Sequence, residues 1–230
     1  MKFHSSAGLL QATALKLGLA LALFAAAPVA ASEKAQSKDH NHSHSHGSHS
    51  KKSEIYKGYF EDDQIENRSL SDWAGNWQSV YPYLTEGTLD PVMDHKAEHG
   101  TKTAGEYKDY YLIGYKTDVD SIEIDGDIVR FVKDSGTASG AYTYDGYEIL
   151  TYKKGNRGVR YIFQKVSGDE NAPEYIQFSD HKISPAAADH YHLYWGDDRA
   201  ALLKEVTNWP TYYPYQLTQQ QVVDEMLHHS

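Results

Sequence analysis

Alternating apolar and polar positions dominate the middle of the chain and predict an antiparallel β-sheet. The segments 121–124 and 128–132 alternate in this way on either side of Asp125 and Gly126, a pair that suits a tight hairpin turn. The same pattern recurs farther along the chain. It predicts a second hairpin from 141–144 and 147–152 around Asp145 and Gly146, then strands at 159–163 after a turn at 155–158, at 175–178 and at 190–194.

Six or more strands in consecutive hairpins have two common arrangements. A closed up-and-down barrel is favoured because closure removes the exposed edge strands that an open sheet would present. A two-sheet sandwich is the alternative.

Helices are predicted on both sides of this β-rich region. Trp73, Trp77, Val80 and Leu84 recur at three- and four-residue spacing, which predicts an amphipathic helix through this section. The remaining helix signals are local start and stop residues. They are a start at Asp90 and Pro91, a capping box of Thr103 with Glu106, a cap at Asp197 or Asp198 before 200–206, a stop at 208–210, and a capping box of Thr218 with Gln221 before a last helix.

The N-terminal part divides into two segments before the folded domain. Residues 1–31 contain an apolar run that Lys16 interrupts and that ends in small residues, which predicts a cleaved secretory signal peptide. Its uninterrupted part is shorter than the roughly 20 residues that span a bilayer. Residues 32–53 are almost devoid of apolar side chains and are predicted to be a disordered His-rich arm. A single domain is then predicted over 54–230.

Composition and charge narrow the class of protein. Hydrophobic residues make up 40% of the chain, which is enough for a substantial core, and the formal net charge is −10. An acidic surface argues against nucleic acid and anionic lipid as partners, and no membrane insertion is expected after cleavage of the leader. The chain contains no cysteine. A metal site would therefore be built from histidine and carboxylate side chains.

Three histidines in the second half of the chain carry the candidate chemistry. His190 and His192 are separated by one residue, so on a strand both imidazoles project from the same face. His181 lies nine residues before His190, and an antiparallel return would bring its ring beside the other two. Three neutral imidazoles suit Zn²⁺ and leave a fourth tetrahedral position open. Asp180 and Asp189 are candidates for orienting the imidazoles.

The other histidines are assigned weaker roles. In the N-terminal arm, alternating histidines are expected to collect metal as auxiliary ligands; these are His40, His42, His44, His46 and His49. His228 and His229 at the C-terminus are further candidate ligands, in the same molecule or a neighbouring one. His95 and His99 are interpreted as surface residues.

Several motifs resemble those of one known family. Ser69–Leu84 contains S-L-S-D-W and W-Q-S-V-Y-P-Y-L, and Tyr175–His181 reads Y-I-Q-F-S-D-H. Further landmarks are K-D-Y-Y at 108–111, Y-D-G-Y at 144–147, H-Y-H at 190–192 and N-W-P-T-Y-Y-P-Y-Q-L at 208–217. From about residue 54 to 229 the chain is similar to the ZinT (YodA) periplasmic zinc- and cadmium-binding proteins.

The resemblance implies a mainly β fold, namely a lipocalin-like (calycin) antiparallel barrel with additional N- and C-terminal helices. It also implies zinc binding by the histidines that match His181, His190 and His192, and delivery of zinc to the periplasmic, ZnuA-like binding component of an ABC transporter. The protein is thus predicted to be a periplasmic scavenger or metallochaperone for Zn²⁺. The same ligands accept Cd²⁺ and other divalent transition metals.

An enzyme is the alternative, because three histidines and a water also generate zinc-bound hydroxide in hydrolytic catalysts. The chain contains no H-E-x-x-H motif and no glutamate within a few residues of the three histidines. The sequence therefore favours a binding protein over a zinc hydrolase.

Overall fold

Eight antiparallel strands close into a barrel in the computed structural model, which describes residues 54–228. Each strand pairs with its neighbours in sequence, and the last strand returns to pair with the first. The strands are β1 Gly75–Ser79, β2 Ser121–Asp125, β3 Ile128–Lys133, β4 Gly136–Thr151, β5 Arg157–Gly168, β6 Tyr175–Ser179, β7 Tyr191–Gly196 and β8 Thr211–Pro214. The predicted up-and-down barrel is confirmed, and the sandwich alternative is wrong.

Among the described residues, three α-helices are inserted between β1 and β2, one between β7 and β8, and one follows β8. Short 3-10 helices at Asp62–Gln64 and Leu70–Trp73 precede β1, and the α-helices are α1 Tyr81–Thr85, α2 Asp90–His99, α3 Ala104–Gly114, α4 Arg199–Lys204 and α5 Gln219–His228. The predicted caps form. The Thr103 hydroxyl accepts from the Glu106 amide at the start of α3, and Asp198 accepts from the amides of Ala200 and Ala201 at the start of α4. At α5, the Thr218 amide donates to Gln221 Oε1 over 2.9 Å.

The predicted continuous helix through Trp73 and Leu84 is wrong. The section contains a 3-10 turn, strand β1 and the short helix α1. Trp73 and Trp77 are buried in the barrel, whereas Val80 and Leu84 are buried in a separate cluster under the helices. The helix-like spacing is thus a coincidence, because two of the four residues are buried in one apolar cluster and two in the other.

The predicted hairpin at Asp145 and Gly146 is also wrong, because β4 runs through both residues without turning. Its register with β5 shifts between Tyr144 and Tyr147, and Gly146 has a φ of 91°. Such a bulge bends a strand without ending it, and glycine adopts the left-handed conformation at little cost. The apparent turn residues therefore curve one long strand of the barrel.

Two apolar clusters stabilise the described domain. The barrel interior is filled by aromatic side chains, among them Trp73, Phe163, Phe178 and Tyr191. The second cluster lies between the helices and one side of the barrel, and Tyr213 of β8 belongs to it. On β8, adjacent residues serve the two clusters, with Tyr212 in the barrel and Tyr213 beneath the helices. This second layer is where the histidine site lies.

In the stretch from 54 to 228, none of the helices combines the length and apolar character needed to cross a lipid bilayer.

Candidate metal centre

The start of strand β7 places two histidines on the outer wall of the barrel: His190 directly precedes the strand, and His192 is its second residue. Tyr191 is fully buried in the barrel interior, so its neighbours His190 and His192 face the opposite way, toward the helical layer. His192 lies between two strands, in register with Ser179 of β6 and Thr211 of β8. The prediction that both imidazoles share one face agrees with this arrangement.

His181 reaches the same place from the end of β6. It has a φ of 63° and is the one non-glycine residue among 54–228 with a positive φ. A left-handed conformation costs a residue of this kind about 1–3 kcal/mol and persists only where surrounding contacts impose it. The strained backbone conformation occurs at a candidate ligand, His181. We infer that the loop adopts this conformation because it places the His181 ring near the other two histidines.

Arg68 supplies the contacts that hold the loop. Its guanidinium binds the carboxylate of Asp180 in bidentate fashion, with Nη1–Oδ1 at 2.6 Å and Nη2–Oδ2 at 2.9 Å, and both side chains are fully buried. It also donates to the Ala186 carbonyl over 2.8 Å. The guanidinium lies 4.1 Å from the centre of the Trp73 ring, so the barrel core supports it from behind. Arg68 thereby holds the loop in place both before His181, at Asp180, and after it, at Ala186.

The three rings converge on one point. One nitrogen from each of His181, His190 and His192 lies within 4.8 Å of the others. The ring centroids are 5.8, 5.8 and 6.1 Å apart. Nitrogens bound to one tetrahedral zinc at 2.0–2.1 Å are roughly 3.3 Å apart, so a closure of at most about 1.5 Å would suffice. Side-chain rotation alone can provide a movement of this size.

Hydrogen bonds assign the tautomers of two of the rings. His192 Nδ1 lies 2.8 Å from Thr211 Oγ1, and that hydroxyl donates its single proton to the Trp209 carbonyl over 2.9 Å. Oγ1 must therefore accept from His192 Nδ1–H. His181 Nδ1 lies 3.2 Å from the Tyr56 carbonyl, which can only accept. In both rings the proton is on Nδ1, which leaves the Nε2 lone pair for a metal.

The electrostatics of the site favour a neutral imidazole at His192. Burial lowers the pKa of His192 well below its usual value, and the neighbouring His181 and His190, followed by Arg160, act in the same direction. A protonated imidazole cannot ligate a metal. The environment of His192 therefore keeps this ligand in its binding form at neutral pH.

Aromatic rings position the other two imidazoles. Tyr56 stacks on His181 with centroids 4.5 Å apart, and Tyr213 stacks on His190 at 5.0 Å with planes inclined by 9°. Tyr56, Thr211 and Tyr213 were not predicted as site residues. Tyr56 is 125 residues from its partner, and no local signal marks it.

Asp180 and Asp189 were suggested to orient the imidazoles, and both carboxylates are engaged by basic side chains. Asp180 is bound by Arg68, and Asp189 lies 2.8 Å from the ammonium of Lys182. Both carboxylates act on the loop: Asp180 anchors its start, and Asp189 pairs with the loop residue Lys182. A hydroxyl, a carbonyl and two phenol rings contact the imidazoles directly.

The remaining predicted ligands are placed as follows. His228 is exposed in the last turn of α5, with Nδ1 2.6 Å from the Asp224 carbonyl, and it is not part of the three-histidine group. His229 and the arm histidines His40, His42, His44, His46 and His49 lie outside the described residues. His95 and His99, which were interpreted as separate surface residues, form a second group with Glu98. Their four-residue spacing on a predicted helix could have indicated this.

Comparison with known proteins identifies relatives of the whole described domain. The family model described as ZinT (YodA) periplasmic lipocalin-like zinc-recruitment matches residues 51–229. The chain is 61% identical over 177 residues to the "Probable metal-binding protein YrpE" of Bacillus subtilis (strain 168), covering 76% of this chain and 70% of that protein. It is 51% identical over 180 residues to the zinc-binding protein AdcA of Streptococcus pyogenes serotype M1, covering 76% of this chain and 35% of that protein.

A solved structure shares the fold. The crystal structure of the Zn(II)-bound ZinT-like domain of Streptococcus pneumoniae AdcA superposes with a TM-score of 0.73 at 48% sequence identity. The match covers 75% of this chain and 97% of that domain. The chain therefore corresponds to one domain of the longer AdcA proteins.

Proposed function

Since the chain belongs to the ZinT (YodA) family, we propose that it is an exported zinc-binding protein that holds Zn²⁺ at His181, His190 and His192. The observation that carries this proposal is the convergence of three imidazoles, two of which carry their proton on Nδ1 and so have Nε2 unprotonated. The three donors match the neutral nitrogen ligands that zinc prefers. Cd²⁺ and other divalent transition metals fit the same donor set, and their availability decides which is bound.

An open coordination position suits a protein that transfers metal. A water molecule, or a histidine from the C-terminus, would complete the tetrahedron. Met226 of α5 lines the same chamber as the three histidines, and His229 follows this helix directly in the sequence. A ligand of this kind can be replaced by one from a partner, whereas four fixed protein ligands would retain the metal.

The partner that we propose is the solute-binding component of an ABC-type zinc importer, with transfer outside the cytoplasmic membrane. The AdcA relatives are named as zinc-binding proteins, and the one from Streptococcus pneumoniae serotype 4 is named as a zinc-binding lipoprotein. In those proteins the ZinT-like domain is joined to a longer chain. A periplasmic location for the present protein fits the predicted signal peptide.

Zinc hydrolysis is not supported as the function. A hydrolase needs a general base beside the metal-bound water, and the adjacent carboxylates of Asp180 and Asp189 are engaged by Arg68 and Lys182. The relatives are metal-binding and zinc-binding proteins. The protein is a binding protein and not an enzyme.

The test is a double substitution, His190→Ala with His192→Ala, in the chain without its leader. Isothermal titration against a zinc chelator should show loss of the tightest site with the barrel still folded, because both rings lie outside the barrel core. His40→Ala with His42→Ala removes the same number of histidines and should leave the tightest site unchanged. Full-affinity binding in the first variant would contradict the proposed site.

Transfer is tested separately with zinc-loaded protein and the metal-free importer component. A transfer rate that rises with acceptor concentration indicates direct exchange between the two proteins. A rate equal to the spontaneous release of zinc, at every acceptor concentration, would contradict the proposed partnership while leaving zinc binding intact.

A further inference from the structure

A second group of metal-ligating side chains lies on helix α2, separate from the three-histidine site. His95, Glu98 and His99 each offer one ligand atom, and these atoms lie within 4.8 Å of one another. The imidazole centroids of His95 and His99 are 4.7 Å apart, with the planes inclined by 68°. We propose that these three residues form a second zinc site, weaker than the three-histidine site and in faster exchange with solvent.

Helix geometry produces this group directly. Residues three and four apart project from the same face of an α-helix, so His95 meets both Glu98 and His99. Two imidazoles and one carboxylate are an established ligand set for zinc, with water at the remaining position. Zinc ligand atoms stand roughly 3.3 Å apart in a tetrahedral site. His95 is only partly buried and the other two are exposed, so their side chains can rotate the remaining distance.

The position on the helix favours a cation. His99 is the last residue of α2 and Gly100 follows as its cap. Carbonyl groups at a helix C-terminus carry partial negative charge, which stabilises a positive ion near the last turn. The carboxylate of Glu98 adds a full negative charge. These two contributions act together at the same end of the helix.

One neighbouring charge opposes the cation and sets the rank of the two sites. Lys96 borders the same hollow as His95 and His99, and its ammonium lies 5.6 Å from the centre of the Tyr111 ring. Its positive charge weakens metal binding there, as does the entropy lost on ordering exposed side chains. Lys96 and Tyr111 also line the chamber of the three-histidine site. The two sites therefore have Lys96 and Tyr111 as common neighbours.

The test compares zinc stoichiometry in the full chain without its leader, so that the arm is the same in every variant. His95→Ala with His99→Ala should lose one equivalent of the weaker class and keep the tightest site. Alanine is the strongest helix former, so α2 should remain intact, and circular dichroism checks this. Glu98→Gln should weaken the same class. Asp94→Asn, which removes one exposed negative charge from the same helix, is the matched control and should leave that class unchanged.

Crystals of the chain soaked in zinc provide a direct measurement. Anomalous scattering at the zinc edge should give a peak between His95 and His99 in addition to any at the three histidines. An unchanged stoichiometry in the double variant, or soaked crystals with no anomalous peak on α2, would overturn the proposal. Neither result depends on whether zinc is also bound at His181, His190 and His192.

Discussion

Substitution of Thr211 by valine tests whether the hydroxyl behind His192 determines the strength of the zinc site. Thr211 is buried, and its Oγ1 is the acceptor that fixes the Nδ1–H tautomer of His192. Valine has nearly the same shape and keeps the backbone pairing of β7 with β8. The variant therefore removes the two hydrogen bonds of this hydroxyl, with His192 Nδ1 and with the Trp209 carbonyl, and none of the ligands themselves.

The expected effect follows from the role of the hydroxyl. Without an acceptor at Nδ1 the ring loses both its fixed orientation and the bias toward a free Nε2. Loss of a hydrogen-bond partner behind a metal-bound histidine costs about 10–100-fold in metal affinity. Since each tenfold change is about 1.4 kcal/mol, the binding free energy should weaken by roughly 1.4–2.8 kcal/mol.

The assay is a competition titration of zinc between the protein and a chromophoric chelator at neutral pH. Thr211→Ser keeps the hydroxyl and should bind zinc nearly as the original protein does. Thermal unfolding of both metal-free variants separates a folding defect from a binding defect. If the valine variant binds zinc as tightly as the serine variant, the reasoning about tautomer and orientation is refuted.

Three further predictions concern the arm, the loop and acid. Deletion of residues 32–50 should lower the number of zinc ions bound without affecting the tightest site, as measured by calorimetry; loss of that site would make the arm the main ligand source. Arg68→Met should lower the free energy of unfolding by about 3–5 kcal/mol in urea titrations, because Asp180 is left buried without its partner, and an effect under about 1 kcal/mol would contradict this. The pKa of His192 is lowered in the folded protein, so as pH falls its imidazole is protonated in the unfolded chain before it is protonated in the folded one. The free energy of unfolding of the metal-free protein should therefore decline below about pH 6.5. His192→Gln should reduce that decline. A pH dependence of stability identical to that of the original protein would contradict the role of His192.

Local features of this chain could be predicted from sequence because neighbouring residues produce them. The capping boxes at Thr103 and Thr218 each need two residues three positions apart, and both form as predicted. The shared face of His190 and His192 follows from the two-residue period of a strand. Closure of the barrel was also expected, since consecutive hairpins leave edges that closure removes.

Elements that depend on a distant partner were missed or misassigned. Strand β8 is four residues long and follows a proline, so its alternation is too short to recognise, yet it completes the barrel by pairing with β1 and β7. Trp77 belongs to a strand despite its helical spacing because β2 and β8 provide its pairing partners. Whether such a segment forms a strand or a helix is decided only by its pairing partners in the assembled sheet.

The sequence by itself determined which residues can ligate zinc, since residue type and strand period already single out the histidines. Tertiary structure decided how they are held. Arg68 reaches Asp180 across 112 positions, and Tyr56 meets His181 across 125. Thr211 comes to His192 only when β8 pairs with β7. A hydrogen bond depends on distance and direction in space, and for residues so far apart in the chain these are set by the packing of the whole barrel and not by any local pattern.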